Sequence, residues 1–540
     1  MQLFVLFLTT LFLAMVLVAG LIKLSAPLGL VDVPDARKVH ASTIPRVGGI
    51  GMVVATIVAL LLEFELDAQF RECLLGVGIL TVFGLLDDRY DLNYKIKFLG
   101  QFLAVLVVVV FGDIVIRRLC FQDCGTLPDA VAYPLTVFFL LGVTNAMNLA
   151  DGLDGLAAGI SILSLACIAF LADLAEGYQM VGAAVAIVGA ILGFLRYNTH
   201  PAIVFMGDTG SQFLGFSAGV LAVLLTQKVN TALSGSLPLL ILGLPIIDTL
   251  LVMGHRILRG VSPFKPDRNH VHHKLLSLGF DHYEAVLATY VFQALCILLA
   301  YFLRYESDLL IMAVYLALFA LIAVFFPLAN AFHWRLRNAD LDRVSFLTRK
   351  LNLVLERAWL DKGAYQIVRF AVPLFLVITA MTTRMEDPDE IAVFAAGVLV
   401  SWVVWVGARL PGAGFVERVA VYSSVIMVVY LAQTAGFEHS EAARWFNYLI
   451  IVLAVVVGVG VRFSGRYFSL TPSDFLVMFV LLAAANLPVF NQINYAKIAA
   501  QSAILMYGIE YILRRGNGTV WAVRSGGILA LIALARWVVV

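Results

Sequence analysis

Four short polar clusters interrupt a chain that is otherwise strongly apolar, and their side chains suit phosphate chemistry. The clusters occupy residues 87–91, 145–154, 205–211 and 270–273. Carboxylates in the first three clusters are ligands for a hard cation, whereas the imidazoles of the fourth suit an anionic phosphate. Ionisable groups at membrane level are energetically costly and usually functional. Together the clusters predict a magnesium-dependent phosphate-transfer site on one face of a membrane.

The first cluster has the sequence DDRYD and follows an apolar run. The adjacent carboxylates of Asp87 and Asp88 concentrate negative charge for Mg²⁺, or provide one metal ligand and one general base. The alternative is a pair of ordinary solvated acids at the end of an interfacial helix. Lys97 follows closely and is a candidate phosphate ligand, although a lysine at this interface is also an ordinary membrane anchor.

In the second cluster, polar side chains recur every third residue. Asn145, Asn148 and Asp151 therefore lie on one side of a helix end. The glycines after Asp151 and Asp154 permit a tight turn and a close backbone approach to a ligand. Polar groups on one face suit ribose hydroxyls or the edge of a base. A polar packing seam with a glycine cap is the alternative.

The third cluster, FMGDTGS, places one acid between glycines just before a predicted helix. Asp208 suits Mg²⁺, which typically takes few protein ligands and keeps water and phosphate oxygens. Phe205 is a candidate to stack on a base. In the alternative interpretation Asp208 or Thr209 caps the helix that follows, and the two roles are compatible.

The fourth cluster contains His270, His272 and His273, with Arg268 and Lys274 on either side. Imidazoles beside two cations form a donor-rich anion site, so phosphate binding is the preferred interpretation. Metal ligation and a plain surface loop are the alternatives. Zinc is disfavoured because no cysteine, and no carboxylate beyond the adjacent aspartate, lies at a familiar zinc-site spacing.

The composition predicts an all-α polytopic membrane protein embedded in a lipid bilayer. Apolar residues make up 61% of the chain and charged residues 14%, against roughly a quarter charged in soluble domains. The net charge of +1 gives no support to nucleic-acid binding. Apolar runs able to cross roughly 30 Å of hydrocarbon number about eleven in the first part of the chain and about seven in the rest.

The runs predict three segments. Residues 1–328 form a membrane core that contains all four clusters, and residues 329–365 form a cytoplasmic linker with an amphipathic helix. Residues 366–540 form a C-terminal transmembrane region with no comparable cluster. Its role has no sequence-based assignment.

Lys and Arg residues in the connecting loops predict the orientation, because they favour the cytoplasmic side. This rule places the amino terminus outside and all four clusters on the cytoplasmic face. The first loop lies on the same face and offers Arg37 and Lys38 to a lipid phosphate. The loop with Arg117 and Arg118 is the exception, since it falls outside. Its Cys120 and Cys124 are either a disulfide or two free thiols.

The order of the motifs, with a VDxPxxRKxH loop before DDxxD, NxxNxxDGLDGL, FMGDTGS and HVHH, resembles a known family. These are the polyprenyl-phosphate N-acetylhexosamine-1-phosphate transferases of the WecA and TagO type, with MraY as a more distant relative. The resemblance spans about residues 1–330. It implies a bacterial inner-membrane enzyme that transfers a sugar phosphate from a UDP-sugar to undecaprenyl phosphate and releases UMP. N-acetylglucosamine is the default sugar, and the product would initiate a cell-envelope polysaccharide such as a cell-wall polymer, lipopolysaccharide or O-antigen.

The resemblance also implies roles for residues of this sequence, with Mg²⁺ as the cofactor and Mn²⁺ as an alternative ion. Asp208 matches the metal ligand, and Asp87, with Asp88 beside it, matches the acid that deprotonates or positions the lipid phosphate. The predicted catalytic residues are Asp87, Asp88, Asp208, His270, His272 and His273. The predicted substrate-binding residues are Arg37, Lys38, Lys97, Asn145, Asn148, Asp151, Asp154, Phe205 and Arg268. The predicted metal ligands are Asp208, Asp87 and Asp88.

Two other functions stay open on the sequence alone. A transporter or flippase would use membrane-level acids for ion coupling, but such acids usually lie at mid-membrane on broken helices. The predicted acids lie instead at helix ends on one face. An inactive scaffold in the same pathway is the other alternative, and a homodimer is one expected assembly.

Overall fold

Helices account for nearly all of the chain that the computed structural model describes, which confirms the all-α polytopic class. The described residues are 2–32, 43–119, 126–260, 269–336, 358–382, 395–400, 402–403, 413–434, 441–463, 495–515 and 520–535.

The helices follow one another with few strands between them. The first part contains α1 Gln2–Leu28, α2 Gly48–Glu63, α3 Ala68–Tyr90, α4 Tyr94–Leu106, α5 Asp129–Ala150, α6 Leu156–Asp173, α7 Tyr178–Asn198, α8 Gly207–Leu224, α9 Pro238–Ile241, α10 Gly243–Leu258, α11 Val271–Ser277, α12 His282–Phe302 and α13 Asp308–Ala331. The second part contains α14 Ala358–Thr382, α15 Ala413–Thr434, α16 Glu441–Phe463, α17 Tyr495–Arg515 and α18 Val520–Ala535. Two π-helical turns, Val107–Phe111 and Leu225–Val229, extend α4 and α8. The short strands β1 (Val31–Asp32) and β2 (Ile44–Pro45) pair antiparallel.

Ten helices among the described residues are long and apolar enough to cross a membrane. Nine of them belong to the first part, and the tenth, Lys362–Met381, lies within α14. Each of the eleven core helices predicted from the sequence has a counterpart, but α2 is short and one predicted helix is divided into α9 and α10. The second part shows five helices, and the remaining two predicted there, near residues 391 and 472, lie largely outside the described residues.

The break between α9 and α10 is caused by the ring of Pro245. The ring of Pro245 is incompatible with an α-helical carbonyl four residues earlier, at Ile241. The Ile241 carbonyl accepts hydrogen bonds from Gln293 Nε2 and Ser164 Oγ, both at 2.8 Å. Side chains of neighbouring helices thus satisfy the backbone group that the proline releases, as a membrane interior requires.

Helix α8 lies at the centre of the first part and packs against α3 and α5. Its most apolar 18-residue stretch is entirely buried. Close approach at its amino terminus depends on glycine. A Cβ on Gly84 of α3 would lie 2.7 Å from Thr209 Cα, and a Cβ on Gly49 of α2 would lie 2.2 Å from Gly210 N. The carboxyl end of α3, which carries the first cluster, therefore sits directly against the start of α8.

The chain divides into two compact units. The described residues of 2–336 belong to the first unit, and those of 358–535 belong to the second. The second unit has a buried core of its own that includes Val368, Val421 and Tyr511. Most of the predicted linker, residues 337–357, lies outside the described residues.

Candidate active site

The carboxylate of Asp88 holds the amino terminus of α8. Its Oδ1 accepts a hydrogen bond from Asp208 N at 2.7 Å, and its Oδ2 accepts from Thr209 N at 3.1 Å and Thr209 Oγ1 at 2.7 Å. The first amides of a helix have no partner within the helix, and negative charge is favourable beside them. Met206, the cap position of α8, makes no side-chain capping bond. The alternative in which Asp208 or Thr209 caps α8 is therefore wrong, because a residue 120 positions earlier performs this role.

The ammonium group of Lys97 lies between two carboxylates. Its Nζ is 3.3 Å from Asp87 Oδ2 and makes a direct ion pair with Asp208 Oδ2. The other oxygen of Asp87 accepts from Leu92 N at 2.8 Å. The side chain of Asp208 is 26% exposed, against 11% for Asp87, so Asp208 is the more open of the two. Asp87 and Asp208 thus converge on a single cation.

The end of α5 supplies amide groups to the same place. Asn148 Nδ2 donates to Asp208 Oδ1 at 3.0 Å and to Ser211 Oγ at 2.7 Å. Asn145, one turn earlier, donates instead to Gln101 Oε1 at 2.7 Å. The spacing of three residues does place both asparagines on one side of α5. Their neighbours differ, since Asn148 reaches α8 and Asn145 reaches α4.

The loop between α5 and α6 carries two aspartates with different surroundings. Loss of solvent around Asp151, together with the negative charges of Asp154 and Asp88, raises the pKa of Asp151 to about 7. Asp151 therefore lies within electrostatic reach of the Asp88 carboxylate. Asp154 Oδ2 instead lies 2.6 Å from His200 Nδ1 and accepts from Ala202 N at 3.1 Å.

The fourth cluster is anchored by a carboxylate on α10. Asp248 Oδ2 lies 2.8 Å from His270 Nδ1, and Asp248 Oδ1 accepts from Val271 N at 2.8 Å. Both His270 and Asp248 are buried. The ring of His272 packs on the backbone of Gly152, because a Cβ at that glycine would lie 2.2 Å from His272 Nε2. The histidines thus adjoin the loop of the second cluster.

Burial changes the chemistry of the middle histidine. Desolvation, and then the neighbouring charge of His273, lowers the pKa of His272 to about 3. Its ring stacks at 5.7 Å on that of His270 and lies 4.3 Å from that of His273. At neutral pH His272 is therefore an uncharged hydrogen-bonding group rather than a cation.

The backbone around Phe205 is joined to the end of the first loop. Phe205 N donates to Pro45 O at 2.8 Å, and Phe205 O accepts from Gly48 N at 3.0 Å. The Phe205 side chain remains partly exposed. These backbone bonds fix the segment of chain that leads into α8.

The predicted site residues divide into three groups. The structure brings together Asp87, Asp88, Lys97, Asn148 and Asp208. Around this group lie Asn145, Asp151, Asp154, Phe205, His270, His272 and His273. Arg37, Lys38 and Arg268 lie outside the described residues.

The sequence motifs did not identify several polar residues in or beside the site. Asp248 is a lone carboxylate within an apolar helix, and this costly placement was a readable signal. Gln101 gave a weaker signal of the same kind in α4. His200 and His282 gave none, since each is a single histidine at a helix end.

Comparison with known proteins identifies the family to which the chain belongs. Residues 71–226 match the model of glycosyl transferase family 4. A Bacillus subtilis protein named a probable undecaprenyl-phosphate N-acetylglucosaminyl 1-phosphate transferase is 38% identical over 275 residues, which are 50% of this chain and 76% of that protein. The chain belongs to the polyprenyl-phosphate N-acetylhexosamine-1-phosphate transferase family.

Other members of this transferase family show similar matches. The decaprenyl-phosphate N-acetylglucosaminephosphotransferase of Mycolicibacterium smegmatis is 33% identical over 294 residues, 49% of this chain and 72% of that protein. The undecaprenyl-phosphate alpha-N-acetylglucosaminyl 1-phosphate transferase of Escherichia coli K12 is 32% identical over 269 residues, 49% of this chain and 73% of that protein. The family resemblance inferred from the motifs is thereby confirmed. These alignments cover about half of the present chain.

Proposed function

We propose that the chain transfers N-acetylhexosamine-1-phosphate from a UDP-sugar to undecaprenyl phosphate and releases UMP. The observation that carries the proposal is the convergence of Asp87, Lys97, Asn148 and Asp208 at the start of α8. N-acetylglucosamine is the proposed sugar, because the named relatives are N-acetylglucosamine-phosphate transferases. The product, an undecaprenyl-diphosphate-sugar, would start a cell-envelope polysaccharide.

The carboxylates of Asp87 and Asp208 fit a magnesium ion. They already share one cation, the ammonium of Lys97, and carboxylate oxygens are the ligands that Mg²⁺ prefers. Asp208 is open enough to leave room for water and phosphate oxygens. Asp88 differs, because both of its oxygens are engaged by α8, and we assign it to positioning. When bound, Mg²⁺, or Mn²⁺ in its place, would neutralise charge on the diphosphate.

The proposed reaction is an in-line displacement at phosphorus. An oxygen of the lipid phosphate attacks the sugar-linked phosphorus, and the bond from that phosphorus to the bridging oxygen breaks, so that UMP leaves with this oxygen. Phosphoryl transfer depends mainly on alignment and charge neutralisation. Asp87 is placed to accept a proton from the lipid phosphate, and Lys97 donates to a phosphate oxygen. The first amides of α8 are already bonded to Asp88, so side chains must supply the remaining donors.

The histidine cluster completes the donor side of the site. Asp248 engages Nδ1 of His270, so Nε2 is the ring atom left for a ligand. His272 packs on the loop that also carries Asp151. We assign the diphosphate and sugar to these histidines, and the nucleotide to Asn148, Asp151 and the ring of Phe205.

An apolar groove between α4 and α5 is suited to the polyprenyl chain of the acceptor. Its volume is about 470 Å³, and the residues that line it are Phe102, Leu106, Val109, Val110, Tyr133, Pro134, Val137, Phe138 and Leu141. The groove begins one residue beyond Gln101, which bonds Asn145, and Lys97 lies one helical turn before Gln101. A polyprenyl chain in the groove would therefore direct its phosphate towards Lys97.

We further propose that the site faces the cytoplasm of a bacterial inner membrane and that the amino terminus lies outside. Positive residues in the loops support this orientation. The loop with Arg117 and Arg118 remains an exception to the rule. The Arg117 guanidinium lies 2.8 Å from Asp113 Oδ1 and 3.4 Å from Asp129 Oδ1.

Release of UMP by the purified full-length chain tests the proposed function. The reaction contains undecaprenyl phosphate, UDP-N-acetylglucosamine and Mg²⁺, with EDTA as the metal-free control. We expect EDTA-sensitive release of UMP, lost in Asp208→Asn and retained in Asp91→Asn. Asp91 is an exposed acid of the first cluster with a positive φ of 52°, a conformation that asparagine tolerates. Absence of lipid-linked product with every UDP-N-acetylhexosamine from a folded protein would refute the proposal.

A further inference from the structure

A second polar cluster lies beside the site and has no part in the reaction described above. Asp154 is in the loop between α5 and α6, His200 follows α7, and His282 is the first residue of α12. Each offers one ligand atom, and these three atoms all lie within 4.8 Å of one another. Three separate elements of the fold thus bring metal-ligating groups close together.

The surrounding contacts hold the three side chains close together. Asp154 Oδ2 accepts from Ala202 N at 3.1 Å and lies 2.6 Å from His200 Nδ1. Tyr283 Oη donates to the His200 carbonyl at 2.9 Å, and the rings of His200 and His282 stack at 3.9 Å. Because the two rings lie face to face, one of them must turn before both can direct a nitrogen to the same ion. The side chains of His200 and Asp154 are 37% and 17% exposed, so solvent reaches the cluster.

The chemistry of the ligands selects the type of ion. Two imidazoles and one carboxylate are a set that zinc uses in open sites, where water fills the fourth position. Magnesium prefers oxygen ligands and is not expected to compete here. The cluster therefore differs in kind from the two carboxylates that converge on Lys97.

We propose that Asp154, His200 and His282 bind a Zn²⁺ ion. The ion joins the loop between α5 and α6 to the chain after α7 and to the start of α12. The same loop carries Asp151 and contacts His272, so zinc would stabilise the wall of the substrate pocket. This inference assigns Asp154, predicted from the sequence as a substrate-binding residue, to the ion.

Metal binding by the untagged full-length protein in detergent tests the inference without reference to activity. Protein stripped with a chelator is titrated with Zn²⁺ against a chromophoric competitor in excess Mg²⁺. We expect one tightly bound Zn²⁺ per chain and a loss of affinity of about 10-fold or more in His200→Ala and in His282→Ala. His255→Ala, which removes an exposed histidine elsewhere, is the matched control and should bind zinc as the unmodified protein does. Equal binding by all four proteins, or no binding by the unmodified one, would overturn the proposal.

X-ray absorption at the zinc edge gives a second readout that needs no variant. The unmodified protein should show two imidazole nitrogens in the zinc coordination shell. Sulfur ligands, or oxygen ligands alone, would mean that zinc binds elsewhere and would overturn the proposal even if a histidine variant failed to fold.

Discussion

The Asp88→Asn variant separates a positioning role from metal ligation. Asparagine keeps the size of the side chain but replaces one acceptor oxygen with an amide donor, which would face an N–H or O–H group at the start of α8. The loss of one charge-assisted hydrogen bond costs about 1.5–3 kcal/mol, and the loss of the charge beside the helix dipole costs about 0.3–1 kcal/mol. Asparagine also avoids the desolvation of a buried charge. We therefore expect destabilisation of about 2 kcal/mol, at the lower end of this sum.

The assay combines thermal unfolding with magnesium titration of activity. If Asp88 only positions Asp208, the variant should unfold at a lower temperature and its kcat should fall about 10–100-fold, by analogy with the loss of groups that orient metal ligands. The Mg²⁺ concentration that gives half of the maximal rate should not change. An unchanged unfolding temperature together with a many-fold higher magnesium requirement would show that Asp88 is itself a ligand, and would refute the reasoning.

The other predictions concern Asp208, the Asp248–His270 pair and His272. Asp208→Asn should lower kcat by about two orders of magnitude or more. The unfolding temperature should not fall, because the partners of Asp208 are the site groups Lys97 and Asn148. Appreciable turnover would contradict the metal assignment. Asp248→Asn should lower kcat/KM about 10–100-fold and His270→Ala should have little further effect in that background, whereas additive losses would mean that the two act separately. The pKa of His272 is about 3 in the folded chain, against the ordinary value of 6.5 in the unfolded chain. Stability should therefore decrease as pH falls from 6.5 towards 3, and the decrease should be smaller in His272→Gln, measured by thermal unfolding.

The positions of the helices were predictable because the bilayer imposes a minimum apolar length on each span. The division into α9 and α10 was not recognised, although Pro245 was visible in the sequence. Its effect depends on whether neighbouring side chains can satisfy the released Ile241 carbonyl, and Gln293 and Ser164 are distant in sequence. Local composition cannot reveal such partners.

The candidate site was predictable to the extent that its residues form local motifs. The spacing of the carboxylates and asparagines in the sequence predicted that they belong to a site. The capping of α8 by Asp88, in contrast, arises from a contact across 120 residues. The predicted charge of the histidine cluster also required the fold. Sequence proximity suggested three similar imidazoles, but burial makes His272 uncharged at neutral pH.

Lys97 is a counterion for Asp87 and Asp208 that belongs to the chain itself. Because the ammonium of Lys97 is attached to the chain beside Asp87 and Asp208, it would compete with the proposed Mg²⁺ at a high effective concentration. The two acids would thus remain assembled around one cation between turnovers. A free Mg²⁺ ion would have to displace the Lys97 ammonium from the two carboxylates. An ion that arrives with a diphosphate brings an anion that the ammonium can bind instead. Calorimetric titration should therefore find that Mg²⁺ binds more tightly in the presence of UDP than in its absence, and equal affinities would exclude this exchange of counterions.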